Sequence, residues 1–327
     1  MNGAPTPALG RGLAISMGGA PLKRRDFLKH QLHGALWLAA GTSGLIRPAS
    51  LLAEATPDVA VVKGAPGAAT RAAVELLGGM RAVVKTGDRV VIKPNMSFPH
   101  PPERGSNTHP EVVTTLAAMC KEAGASRVVV LDHPLSSAER CLEQSGIRDA
   151  CKAIEEDMVH AFSSPGAFRE AAIPKGEDMR KTQVMRDVLE ADVLIAAPTA
   201  KSHSSAGVSL SLKGMMGLIY DRGVMHWRHE LDEAIADLCS LLRADLTVID
   251  ASYVLSTGGP SGPGKVIKAD TVIASRDMVA ADATCVASFE WYGRMFKPRQ
   301  VNHIRRAAER GLGRLDIENL RTRTLTL

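Results

Sequence analysis

Val59-Ala60-Val61-Val62, then the helical stretch Ala69 to Val84, then Arg89-Val90-Val91-Ile92, is the segment that decides the fold. Each outer run is short, β-branched and free of a polar face, whereas the residues between them are apolar at helical spacing. A strand without a polar face must be covered on both sides, the condition met in a parallel sheet joined by crossover helices. Working outward, Arg127 to Leu131, Val193 to Ala196, Leu246 to Ile249 and Thr271 to Ala274 are runs of the same kind. Between them, Val112, Leu116, Met119 and Ala123 form one helical stripe, and Leu231, Ile235, Leu238 and Leu242 another. The pattern predicts an α/β fold, a mostly parallel sheet with helices on both faces. Residues 163 to 182, rich in Pro, Gly and charge, read as an irregular connection, leaving open a division into two lobes.

The first 55 residues have a different logic. Lys23-Arg24-Arg25-Asp26-Phe27-Leu28-Lys29 precedes an uncharged stretch from Gln31 to Ile46 and then Ala53-Glu54-Ala55, the layout of a cleavable leader. The paired arginines followed by Phe-Leu-Lys resemble the twin-arginine export signal. The expected organisation is a signal peptide at 1–55, an α/β domain at 56–315 and a C-terminal tail at 316–327. This implies the twin-arginine translocase as partner and a periplasmic or otherwise exported location. After processing no stable membrane anchor is expected, since no later stretch holds 18 uninterrupted apolar residues.

The net charge of +5 is concentrated in that leader, which holds six Lys/Arg and two Asp/Glu. The remainder is close to neutral and, with 4% aromatic residues overall, offers neither the basic footprint nor the stacking platforms of a nucleic-acid binder. Five isolated cysteines, Cys120, Cys141, Cys151, Cys239 and Cys285, contain no Cys-x-x-Cys pair, so buried thiols are expected rather than a disulfide framework or an internal iron–sulfur cluster.

Ligands of open parallel sheets sit beyond the carboxyl ends of the strands, and here those positions are polar. Lys93-Pro94-Asn95 follows Ile92; Asp132-His133 follows Leu131; Lys201-Ser202-His203 follows the strand ending near Ala197; Asp250 and Ser252 follow Ile249. Lys93, Lys201 and Lys213 are candidate counter-charges for a small anionic ligand, with Asn95, Ser211, Gly258 and Gly259 as further ligand contacts. A minority alternative gives Lys201 or Lys213 a Schiff-base role. His109 and His203 are candidate acids or bases, and Asp250 a candidate catalytic carboxylate that orients a histidine. A metal ion is a second open alternative, with His226 and Asp282 as candidate ligands; His226, His229 and Asp232 would share one face of a helix. Gly259 followed by Gly264-Lys265 imitates a P-loop, but Val266 stands where a hydroxyl must hold magnesium, and Pro260 and Pro263 remove backbone donors. That loop reads instead as a rigid wall or lid.

Taken in order, Val-Val-Ile-Lys93-Pro94-Asn95, Thr108-His109-Pro110-Glu111, Lys201-Ser202-His203, Ser211-Leu212-Lys213-Gly214, His226, Asp245 to Asp250, Gly258-Gly259-Pro260 and Asp277 to Asp282 resemble the domain-of-unknown-function 362 family. The resemblance covers nearly all of residues 58 to 315. It implies the fold class but no settled activity. Many relatives carry a Cys-rich 4Fe–4S segment, which links the family loosely to redox work; this chain, with isolated cysteines, departs from that pattern. Two chemistries follow as expectations: an envelope enzyme with redox-linked or hydrolytic chemistry on an anionic molecule, or a non-catalytic carrier of a ligand or metal.

Overall fold

The computed structural model describes residues 56–327. The expected export signal at 1–55 lies outside the described residues. The amino-terminal half runs β1 (Val59–Lys63), α1 (Pro66–Leu76), β2 (Arg89–Pro94), α2 (Pro110–Glu122), β3 (Arg127–Asp132), α3 (Ala138–Ser145), α4 (Ile147–Cys151) and β4 (Val159–Ala161). A hairpin of β5 (Phe168–Ala172) and β6 (Lys181–Met185) leads to α5 (Arg186–Glu190), β7 (Val193–Ala197), β8 (Thr199–His203), β9 (Gly207–Val208), α6 (Leu210–Gly214) and α7 (Gly223–Trp227). The rest is α8 (Leu231–Leu241), β10 (Leu246–Leu255), β11 (Val266–Ser275), α9 (Met278–Ser288), β12 (Glu290–Trp291), β13 (Arg294–Met295), α10 (Asn302–Glu309) and β14 (Thr322–Thr326).

The main sheet has the order β14-β1-β11-β10-β7-β2-β3-β4, with β8 attached to β10 and β9 to β8. From β10 through β7, β2 and β3 to β4 every pairing is parallel, as predicted from the doubly apolar strands. The sheet turns mixed at β11, which runs antiparallel to both β10 and β1 because a hairpin loop returns it directly beside β10.

Alternate residues of the central strands enter opposite layers, as a period of two requires. Val90, Ile92, Val128, Val130, Val193 and Ile195 pack with α1 and α2. Val91, Val129, Leu131, Leu194 and Ala196 pack on the other face with residues of α6, α8, α9 and α10. The predicted helices therefore sit where their stripes demand, although the stretch Ala69 to Val84 is helical only to Leu76 and then turns at Gly78 and Gly79, both with positive φ.

Three expectations change. The described residues fall within a single compact unit and do not divide into two lobes. From 168 to 185 the chain makes the β5–β6 hairpin, whose far end is tied to α8: the Asp237 carboxylate accepts the backbone N–H groups of Glu177, Asp178 and Met179 at 2.8, 2.9 and 2.7 Å and pairs with Arg310, the residue that follows α10. The segment expected as a tail supplies β14, which pairs in parallel with β1 and is held at its start by Arg321 on Asp58, 2.9 Å apart. Among the described residues no helix is long and apolar enough to cross a membrane.

Candidate functional site

The chain leaves β2 for β3 and β4 on one side and later fills the other side of β2 with β7 and then β10. Connections on the two sides diverge, and a crevice opens beyond the carboxyl ends at this reversal. There the structure has a cavity of about 250 Å³, lined among others by Lys93, Asn95, Phe98, Asp132, Lys201, His203, Lys213, Arg222, His226 and Pro260.

Its chemistry is dominated by buried cations. Lys93, the penultimate residue of β2, is 3% exposed and meets the fully buried Asp132 at the end of β3, 3.0 Å away. The other Asp132 oxygen accepts from Met96 N at 3.0 Å and Ser97 Oγ at 2.9 Å, so this carboxylate also fixes the turn that follows β2. Lys201, on β8, donates to Ser106 O at 2.6 Å and lies 5.2 Å from the centre of the Phe98 ring. Lys213, in α6, makes only a weak contact with Met216 Sδ at 3.5 Å. Arg222 donates to the backbone carbonyls of His133 and Pro134.

Burial disfavours each of these charges. It pulls Lys201 down to about 7, the attraction of Asp132 being offset by repulsion from Lys93 and Lys213. Lys213 is pulled down to about 8 by burial, with Arg222 adding repulsion. Lys93 and Arg222 are lowered for the same primary reason, opposed by Asp132. His203 is pushed to about 3, first by burial and then by Lys213 and Lys201, so its ring is neutral. Its Nδ1 accepts from Ser205 N at 3.3 Å, which assigns the ring proton to Nε2 and makes that nitrogen a donor.

Asn95 and Gly217 hold the walls. Asn95 Oδ1 accepts Thr199 N at 3.0 Å, and Thr108 Oγ1, which accepts Asn95 N at 2.8 Å, donates to Ala197 O at 2.7 Å. These bonds stitch the loop after β2 to the turn between β7 and β8. A Cβ on Gly217 would lie 2.3 Å from Asp132 Oδ1 and 2.6 Å from Lys93 Cε. Gly217→Ala is therefore expected to force the ion pair apart and cost about 1–3 kcal/mol; a denaturant melt that overlays wild type would refute this.

The structure brings Lys93, Asn95, Lys201, His203, Lys213 and His226 to one cavity and sends the other candidates elsewhere. His109 caps α2, its Nδ1 accepting Glu111 N at 3.3 Å, and lines a separate depression with Lys63, Tyr253 and Lys268. Asp250 accepts His109 N at 2.7 Å and Ser252 N at 2.9 Å, so its carboxylate orients the backbone of the loop that carries His109 and lies outside the cavity lining. Asp282 accepts Ser211 N and Leu212 N at 2.9 and 3.0 Å, capping α6; burial raises its carboxyl to about 7. Ser211 itself is fully buried behind that cap.

Gly258 has φ +72, and its missing Cβ would strike Pro263 O at 2.1 Å; Gly259 packs on Ser202, with 1.9 Å left for a Cβ. These glycines shape the β10–β11 loop, which contributes Pro260 to the cavity wall. The proposed metal face does not form, because each member turns to a different partner: His229 to Asp178 at 3.1 Å, Asp232 to His303 at 3.6 Å, and His226 to the cavity. Among the described residues no group of three or more His, Cys, Asp and Glu stands close enough to hold a metal ion. All five cysteines are buried and unpaired, and burial raises Cys120 to about 12 and Cys141 to about 11.

Arg222 and Phe98 were not foreseen. Neither follows a strand directly, and in sequence each is one charged or aromatic residue in a loop. His303 was also missed; it is fully buried on α10 beside Asp232, and neither ring nitrogen has a hydrogen-bond partner among the described residues.

The chain is similar to several known proteins. The thylakoid-associated protein sll1697 of Synechocystis is 27% identical over 223 residues, covering 66% of this chain and 67% of its own. Among solved structures, the lactate racemase apoprotein from Thermoanaerobacterium thermosaccharolyticum is 13% identical with a TM-score of 0.43, over 67% of this chain and 54% of its own. A Thermotoga maritima protein is 15% identical with a TM-score of 0.33, over 57% of this chain and 51% of its own. The chain spans about half the length of each of these two structures. The family model described as domain of unknown function (DUF362) matches residues 90–287, and the chain belongs to that family.

Proposed function

We propose that the protein is an exported binder of a small carboxylate- or phosphate-bearing molecule, held in the cavity beyond β2, β3 and β8. One observation carries this: Lys93, Lys201, Lys213 and Arg222 line the same small cavity, and Asp132 is the only carboxylate among its lining residues. Buried positive charges without partners are costly, and an anion that enters removes the cost it meets there. The Nε2–H of His203 adds a neutral donor. A volume of about 250 Å³ suits a small metabolite and is below the usual size of a drug-sized ligand site.

The charge logic sets the pH dependence. Lys201 and Lys213, at about 7 and about 8, carry their charges below those values and lose them above. Calorimetric titration with acetate, which stays ionised throughout and has no carbonyl for an amine to attack, should therefore show affinity falling from pH 6 to pH 9, by up to about tenfold per pH unit for each lysine that must take up a proton. A pH-independent affinity, or equal binding of an uncharged analogue, would remove the counter-charge role.

The proposed route is the twin-arginine translocase, supported by the sequence Lys23-Arg24-Arg25-Asp26-Phe27-Leu28 and the uncharged stretch behind it. Cell fractionation tests it. The processed chain is expected outside the cytoplasm, and an Arg24→Lys, Arg25→Lys double variant should remain inside; equal export of the two would refute the route.

A further inference from the structure

We infer that the Lys201 amine is a nucleophile, forming an imine with the carbonyl carbon of a small 2-oxo acid whose carboxylate is held by the neighbouring cations. The inference rests on the anion-binding reading and gives that site a substrate class and a covalent step.

The cavity cations are not equivalent. Lys93 has Asp132 at 3.0 Å and stays an ion-paired ammonium. Arg222, a guanidinium clamped on two carbonyls, is suited to a carboxylate and useless as a nucleophile. Lys201 is 3% exposed and has no carboxylate within ion-pair distance among the described residues. Ser106 O takes one of its N–H groups and fixes its direction, and the centre of the Phe98 ring lies 5.2 Å from the amine. Burial, helped by repulsion from Lys93 and Lys213, outweighs the attraction of Asp132 and brings the amine down to about 7, so near neutral pH a large share of it is unprotonated. Burial beside two like charges, with the Asp132 carboxylate ion-paired to Lys93 and not to Lys201, is the setting an amine nucleophile needs.

The step balances without an outside oxidant or reductant. The Nζ lone pair forms a C–N bond to the carbonyl carbon while the C=O π electrons move to oxygen; the nitrogen then gives up one proton and the oxygen takes one, which leaves a neutral carbinolamine with its nitrogen lone pair restored. The C–O bond then breaks as a second proton reaches the hydroxyl. Water departs and the nitrogen lone pair closes the C=N bond. Lys213, which lines the same cavity and keeps its proton up to about pH 8, is the group that supplies that second proton. His203 stays neutral and offers its Nε2–H as a hydrogen bond, not as an acid.

Reductive trapping tests this. The purified protein is incubated with pyruvate and sodium cyanoborohydride, and the adduct is mapped by peptide mass spectrometry. One adduct per chain is expected, on Lys201, forming at least ~100-fold faster than on the exposed Lys85, as binding beside the amine predicts. Its rate at saturating pyruvate should rise with pH up to about 7, as Lys201 loses its proton, and fall again above about 8, as Lys213 loses the proton it supplies. Lys201→Met should abolish it, and Lys201→Arg, which keeps a cation, provides the same test if the Met variant does not fold. Labelling of Lys201 no faster than of Lys85, or a fast adduct surviving in either variant, overturns the inference. Phosphate binding measured on the same preparation separates the two proposals: if binding persists without a Lys201 adduct, only the imine falls, and if both are absent the anion site falls with it.

Discussion

Asp132→Asn is expected to destabilise the ligand-free protein by about 3–5 kcal/mol, the cost of leaving one member of a buried ion pair without its partner. Asp132 has no exposed surface and is the one carboxylate set among Lys93, Lys201 and Arg222. An amide keeps one oxygen for Met96 N or Ser97 Oγ but removes the negative charge opposite Lys93. Lys93 must then give up its proton or the cavity must open. For a chain of this size the melting temperature should fall by about 10 °C. The informative part is the response to ligand: phosphate should recover more stability in Asp132→Asn than in wild type, because it replaces a charge that the variant lacks. Thermal melts with and without phosphate measure both quantities. Equal stabilisation of the two proteins would mean that the anion does not bind near Asp132.

Asp237→Ala should cost a similar amount, about 3–5 kcal/mol, but with an opposite functional signature. This carboxylate is fully buried, accepts three consecutive backbone N–H groups at the end of the β5–β6 hairpin, and pairs with Arg310. Truncation orphans those three donors together, while Arg310 keeps Glu233 at 2.8 Å. Asp237 lines none of the cavity, so phosphate affinity at 20 °C should match wild type while the melting temperature drops. Lost affinity with retained stability would show that the hairpin anchor is coupled to the cavity. The pair of variants thus separates a carboxylate that organises the ligand site from one that organises the fold.

Much of the fold was legible because the decisive signals are local. Val90 to Ile92, Val128 to Val130 and Val193 to Ile195 are apolar at every position, and that alone requires layers on both faces. The β5–β6 hairpin was not legible: its burial alternates only in part and its neighbours are turn-forming residues, so the composition resembles a loop. β14 was missed for a related reason, since Arg321-Thr322-Arg323-Thr324 is an exposed edge strand without an apolar signature, held by β1 and by Asp58.

The site divides along the same line. Strand identity, helix stripes and the presence of polar residues after each strand were determined by sequence alone, because each depends on a few consecutive residues. Which of those polar residues share a cavity was decided only by tertiary structure. Lys93 and Lys201 meet because β7, which leads into β8, pairs with β2, while Asp250, on β10, is drawn into the backbone of the His109 loop. Sheet order comes from packing between distant segments, and no short stretch of chain encodes it.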